Sequence, residues 1–217
     1  MSFSGEVKEE LSRQLSSARH CQLAELSAII SACGMYSVRP HGRLFLVLQS
    51  ENLLVARKAN LLLRETFEVI PDVSVMGSGD WKKSRVYTLA VRDGDEVTRI
   101  LQATKFMQEN GALIDLELPV SSLLLRTPCC RRAFLRGAFL SMGSISNPEK
   151  SYHFEIVCSN PEKATAIRDG QKKQLPVDEL VRDGMRRDTL TAALTGVYDL
   201  ERLMTRIVYG SANGRDL

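Results

Sequence analysis

Apolar positions recur at helical spacing from the first residues onward: Phe3, Val7, Leu11 and Leu15 follow Ser4, which the pattern makes a cap. The stretch CQLAELSAIISAC predicts a second helix from Cys21 to about Cys33, stopped at Gly34. A loop carrying proline and glycine (SVRPHGR) then leads into the short apolar strand LFLVLQS. ENLLVARKANLLLRETF predicts an amphipathic helix with Leu54, Ala59 and Leu62 on or near its apolar stripe, and Pro71 ends that region. VSVMG and SRVYTLAVR predict two strands around GSGDWKK, and a helix from about Glu96 to Gln108 stops near Asn110-Gly111.

The pattern then returns. RRAFLRGAFLSMG predicts a helix ended by Gly143, followed by a loop (SISNPEKS), the strand YHFEIVC and a helix from about Pro161. Gly34 and Gly143 are 109 positions apart, whereas the strands align best at 110, pairing Leu44, Leu46 and Leu48 with Phe154, Ile156 and Cys158. That reading requires one extra residue in the second loop, because a slip of one reverses every side chain. Helix, glycine, loop, strand, helix occurring twice implies an internal duplication. Repeat 1 covers about 21–117 and a partial repeat 2 about 129–170.

Within the helix ended by Gly143, Gly137 costs about 1 kcal/mol relative to alanine, so a close approach is expected to offset it. The expected partner is the helix ending at Gly34, its counterpart in the first repeat. Small residues on both make this possible: Ser27, Ala28, Ser31 and Gly34 on one, Gly137, Ala138, Ser141 and Gly143 on the other.

Bulk numbers exclude more than they select. The chain has 217 residues, 44% hydrophobic and 25% charged, enough for a buried core. A net charge of +3 and a pI near 8.6 permit nucleic acid as a partner without requiring it. No run of 18 apolar residues predicts a membrane span, and the polar N-terminus has no signal-peptide core. Cys21, Cys33, Cys129, Cys130 and Cys158 are odd in number and form no CxxC pair. That argues against a disulfide framework or a zinc site and favours a reducing cytoplasm. The Cys129-Cys130 pair admits redox chemistry, although two small residues at a helix start are the plainer reading.

LSAIISACG (Leu26 to Gly34) and LRGAFLSMG (Leu135 to Gly143) resemble the paired LAGLIDADG helices of homing endonucleases. With MSFSGEVKEEL, QSEN followed by VARK, CCRRAFLRGAFL and GSISNPEKSYHFEIV, residues 1–170 closely resemble the bacterial WhiA regulators, whose N-terminal domain is a LAGLIDADG-type scaffold. The implied fold class is α+β, a duplicated LAGLIDADG-like domain with an incomplete second repeat. The resemblance also implies a transcription regulator tied to cell division or sporulation. In the nucleases, the eighth motif position carries an acid that binds Mg²⁺. Here those positions hold Cys33 and Met142, soft donors unsuited to a hard cation. No catalysis, cofactor or metal is expected. What remains is binding, with double-stranded DNA as the expected partner, protein partners as a second, and neither membrane nor small-molecule substrate. Lys82, Lys83 and Arg85, beside Trp81 on the predicted hairpin, and Arg131, Arg132 and Arg136 near a helix start are the candidate phosphate contacts, although a solvated surface explains each cluster as well. Relatives of this family carry a helix-turn-helix domain that is not found in this chain, which implies truncation before it.

After Gly170 the reading changes. Residues 171–176 (QKKQLP) are the expected junction. Val177, Leu180, Val181 and Met185, then Val197, Leu200, Leu203, Met204 and Ile207, predict two helices closed by Gly210. Residues 177–217 resemble part of the helical core of the MutS mismatch-repair proteins, through YDLERL, RI and the closing RDL. The chain contains no phosphate-cradling GxxxxGK[ST] motif, so no ATPase is implied. Alternatives to DNA-binding regulation are thus a protein-interaction scaffold and a mismatch-repair fragment, the latter predicting a preference for mispaired duplexes.

Overall fold

The computed structural model describes residues 2–38, 43–77, 85–116, 120–147 and 153–158. The expected helix from Pro161, the junction at 171–176 and the tail at 177–217 lie outside these residues, as do Trp81, Lys82 and Lys83.

Helix α1 (Phe3–Arg13) starts two residues earlier than the pattern suggested: Ser2, not Ser4, is the cap, its hydroxyl accepting from the Gly5 N–H. Helix α2 (Arg19–Cys33) runs straight into strand β1 (Gly34–Val38), which pairs antiparallel with β2 (Leu44–Ser50). Sequence reading gave β1 to a loop because GMYSV is short and only its Gly34 and Tyr36 are partly covered. Asn52 caps helix α3 (Leu53–Phe67), and Glu68 reverses the chain with φ 59°. Strands β3 (Asp72–Gly77) and β4 (Arg85–Val91) follow as expected, and the sheet order is β1-β2-β4-β3, antiparallel throughout.

Helix α4 (Gly94–Ala103), capped by Asp93, ends well before Gln108. Beyond Thr104 the backbone turns at Lys105 (φ 63°), and the Phe106 and Met107 N–H groups both donate to the Leu101 carbonyl. This turn delivers Phe106 and Met107 into the core, which the helical periodicity had absorbed into the helix. After a short 3-10 turn (Ser122–Leu125), Thr127 caps helix α5 (Pro128–Met142), with proline in its first turn. Strands β5 (Gly143–Ile145) and β6 (Phe154–Ile156) form a second antiparallel pair.

The helix–strand–strand unit therefore occurs twice, with Gly34 facing Leu48 and Gly143 facing Ile156. Leu48 and Ile156 lie 108 positions apart, so the second loop is one residue shorter, not one longer as the sequence alignment implied. An offset of 108 in place of 110 is an even slip, so the inward and outward faces were assigned correctly although the register was not.

The main core lies between α2, α3, α4 and one face of the sheet. Leu46, Leu48, Leu89 and Val91 meet Ile29, Ile30, Leu62, Leu63 and Ile100 there. A second cluster joins α2 to α5 through Cys21, Ala24, Ala28, Cys130, Ala133, Phe134 and Ala138.

Candidate functional site

Small residues let α2 and α5 touch. A Cβ placed on Gly137 would lie 2.5 Å from the Glu25 carbonyl oxygen and 3.0 Å from the Ala28 Cβ. Gly137, Ala138 and Ala28 thus form the close approach that the sequence predicted. The other members divide. Ser27 is buried and donates to Ala24 within its own helix, whereas Ser31 reaches away to the Leu116 carbonyl at 3.3 Å. Gly34 and Gly143 begin strands, and an added Cβ at either would meet its own helix, at Ile30 and Phe139 respectively. Ser141 donates to the Gly137 carbonyl at 2.9 Å and also interacts with the Cys33 thiol across the pair.

At the C-terminal ends of these helices stand Cys33 and Met142, where the nuclease acids would be. Burial pushes the Cys33 thiol up, partly offset by Ser141, Lys8 and Ser50. Lys8, its Nζ 5.6 Å from the Phe139 ring centre, also faces this thiol. A neutral thiol, a thioether and a neighbouring ammonium make a poor seat for Mg²⁺.

The pair also buries charge. Glu25 on α2 and Lys58 on α3 are both fully buried, 3.1 Å apart. Arg136 on α5 closes the group, its Nε and an Nη donating to the two Glu25 oxygens at 2.8 and 2.6 Å and an Nη to the Ser16 hydroxyl at 3.0 Å. Lys58 also donates to the Gln14 carbonyl. Thus Arg136, expected as a phosphate contact, is partly buried and cross-links α5 to the carboxylate of α2, which occupies its Nε and one Nη. Glu25 and Lys58 escaped sequence reading, since a charged residue inside a helix is ordinarily assigned to its solvent face.

Three further candidate cations lie among the described residues. Arg132 is exposed, and Arg131 is half-buried with its Nε unpartnered among the described residues. Arg85 is exposed at the start of β4, and strand alternation puts it on the helix-covered side with Leu89 and Val91. The opposite, open face of the sheet carries Met35, Val47, Gln49, Thr88, Ala90, Ser74 and Met76 in facing rows. Met35 and Met76 there are 52% and 68% exposed. Within the four described strands that face holds no lysine or arginine; Arg92, just beyond β4, is paired with Asp72 at 2.7 Å.

At the opposite end of the helix pair, four donors converge that sequence reading kept apart. His20 and Cys21 lie in the first turn of α2, Cys129 and Cys130 in the first turn of α5. Their ligand atoms all lie within 4.8 Å of one another. His20 Nδ1 is 3.1 Å from Cys130 Sγ and 3.4 Å from Cys21 Sγ, and Cys129 Sγ is 3.1 Å from the Thr127 hydroxyl. Burial and the neighbouring thiols push the Cys21 thiol up to about 12, whereas hydrogen bonds from Thr127 and Cys21 draw Cys129 below the ordinary thiol range. The expectation of no metal-ligating group rested on the missing CxxC spacing, which describes ligands on one local turn. Here the helix pair supplies the proximity.

Residues 19–107 match the family described as the WhiA N-terminal LAGLIDADG-like domain, and residues 131–182 match the WhiA LAGLIDADG-like domain. The second match runs through 171–176, and the resemblance of 177–217 to MutS gains no support. A probable cell division protein WhiA of Lachnoclostridium phytofermentans is 42% identical over 170 residues, covering 78% of this chain and 54% of that protein. The corresponding protein of Alkaliphilus oremlandii is 40% identical, with 78% and 53% covered. The chain spans about half the length of these relatives. Among solved structures, the N-terminal LAGLIDADG domain of DUF199/WhiA is similar with TM-score 0.54 and 24% identity, covering 80% of this chain and 75% of that one. Full-length DUF199/WhiA from Thermatoga maritima gives 0.55 and 23%, covering 81% and 51%. These structures support the α+β LAGLIDADG-like fold. No described helix is long and apolar enough to cross a membrane.

Proposed function

Because this chain carries both LAGLIDADG-like domains of the WhiA family, we propose that it is a non-catalytic, DNA-binding transcription regulator linked to cell division or sporulation, acting in the cytoplasm. The observation that carries the non-catalytic reading is the pair Cys33 and Met142, with Lys8 beside the first, at the positions where a nuclease holds its acids. Duplex DNA would meet the surface cations, with Arg132, Arg131 and Arg85 joined by Lys82 and Lys83 from the segment joining β3 to β4.

Salt dependence tests this proposal. Phosphate contacts release counterions, so affinity for a mixed-sequence duplex should fall steeply between 50 and 200 mM salt, with about one unit of log–log slope per contact. The combined K82A, K83A and R85A variant should lower that slope by about two to three units if all three touch phosphate. An unchanged slope would remove these residues from the interface. No binding at low salt would overturn the DNA-binding proposal. Plasmid nicking that appears only with Mg²⁺ would overturn the non-catalytic one.

A second reading has its own support. The described strands of the open sheet face carry no lysine or arginine and expose Met35 and Met76, where a phosphate-tracking surface would be cationic. A protein-interaction scaffold using that face predicts binding that is insensitive to salt over the same range.

A further inference from the structure

We propose that His20, Cys21, Cys129 and Cys130 form a structural site for a zinc-class divalent cation, clamping the N-terminal ends of α2 and α5. The donor set is Cys₃His, one of the closed tetrahedral sets characteristic of structural zinc. With Zn–S near 2.3 Å, neighbouring sulfurs in such a site lie about 3.8 Å apart. Four ligand atoms already within 4.8 Å of one another need only small side-chain rotations to reach that spacing. The apolar residues packed in the same cluster include Ala18, Ala24, Ala133, Phe134 and Leu125, and the Thr127 hydroxyl is hydrogen-bonded to Cys129 Sγ at 3.1 Å.

Electrostatics favours the same occupant. Two helix N-termini converge here, and each stabilises thiolates through its unpaired N–H groups and dipole. Three thiolates in one place repel one another, so the ionised state needs a cation among them. A divalent ion with three thiolates and neutral imidazole leaves a net charge of −1, facing two positive helix ends. Binding replaces the thiol protons by the metal, releasing up to three protons to solvent with no change in oxidation state.

Position follows from the fold. His20 and Cys129 are 109 positions apart, as are Cys21 and Cys130, and as are Cys33 and Met142. The two repeats therefore each give two ligands from equivalent helical positions, so the site lies on the pseudo-twofold relation between them. It stands about 20 Å along the helices from Cys33 and Met142, at 1.5 Å per residue. The fold thus keeps a soft-donor set at one end of its helix pair and has lost the hard-donor set at the other.

The test is metal content of the full chain, purified in reductant without a metal-affinity column, incubated with ZnCl₂ and desalted. One equivalent of zinc per chain is expected by mass spectrometry of the metal, and the Co²⁺-exchanged protein should show the intense visible bands of tetrahedral cobalt thiolate. Both C129S and C130S should lose at least nine-tenths of the zinc, whereas C158S, outside the cluster, should keep it. Cys129 is only half-buried, so C129S remains informative if C130S misfolds, and circular dichroism checks each variant. Reduced, folded wild-type protein that retains no zinc overturns the proposal. So does zinc retained equally by folded C129S and wild type, or octahedral cobalt spectra. A disulfide within the cluster, two mass units lighter and formed even in the presence of zinc, also overturns it in favour of redox chemistry.

Discussion

Replacing Glu25 by glutamine is expected to destabilise the protein by about 3–5 kcal/mol, the range for removing one partner of a buried ion pair. Glu25 and Lys58 have no solvent exposure, and the carboxylate also takes two hydrogen bonds from Arg136. Glutamine keeps the shape but leaves Lys58 without a counter-charge and Arg136 with a neutral acceptor. The Lys58→Met variant should lose less, because Glu25 keeps its bidentate arginine while the buried ammonium and its desolvation cost are removed together. Urea unfolding followed by circular dichroism, at fixed pH and fixed metal content, measures both. Equal midpoints for wild type and E25Q would mean that the group is hydrated in solution and contributes nothing.

The same group gives the alkaline stability a sign. Burial holds Lys58 below its ordinary value of 10.5, with Glu25 raising it part of the way back and Arg136 lowering it. Between the folded value and 10.5 the unfolded chain binds more protons, so this lysine makes stability rise with pH in that window. Below the folded value both states are protonated and the contribution is flat. The K58M variant should lack the rise, and a rise of equal size in K58M would assign it to another group.

These charges mark where sequence reading reached its limit. The sequence placed α2, α3 and α5 within a few residues: buried positions recur every three to four residues on α3, while α2 and α5 are apolar runs ended by Gly34 and Gly143. It could not place Glu25, Lys58 and Arg136 together, since they come from three helices and pair only once those helices pack. The same holds for His20, Cys21, Cys129 and Cys130. Two adjacent pairs 109 residues apart show no local metal spacing, and only the duplication brings them to one point. Strand β1 was missed for a different reason: it is short, mostly exposed, and joined to α2 without a turn. Faces survived where register did not, because a two-residue slip preserves the alternation. What the sequence did carry was the helix contact, since a glycine at Gly137 inside a helix needs a reason and its counterpart helix supplied small residues.

That glycine supports the second large expectation. Gly137→Ala should destabilise the protein by about 1–3 kcal/mol, as overpacking of a close contact does. On propensity alone the change would favour the helix by about 1 kcal/mol, so the two effects have opposite signs. Geometry decides between them. The obstacle at 2.5 Å is the Glu25 carbonyl, backbone of the neighbouring helix and not the end of a flexible side chain, so α2 and α5 must separate to admit the methyl. Separation also lengthens the Arg136–Glu25 hydrogen bonds and spreads the first turns that carry the four soft donors, so G137A should weaken zinc retention while leaving every ligand in place. Gly77 is the control: a Cβ there meets nothing within 4 Å, and G77A should stay within about 0.5 kcal/mol of wild type. Unfolding midpoints of the two variants, measured side by side, decide the matter. Stabilisation by G137A would mean that the helices do not approach as closely as the Gly137–Glu25 contact requires, and the duplicated helix pair would lose its main physical support.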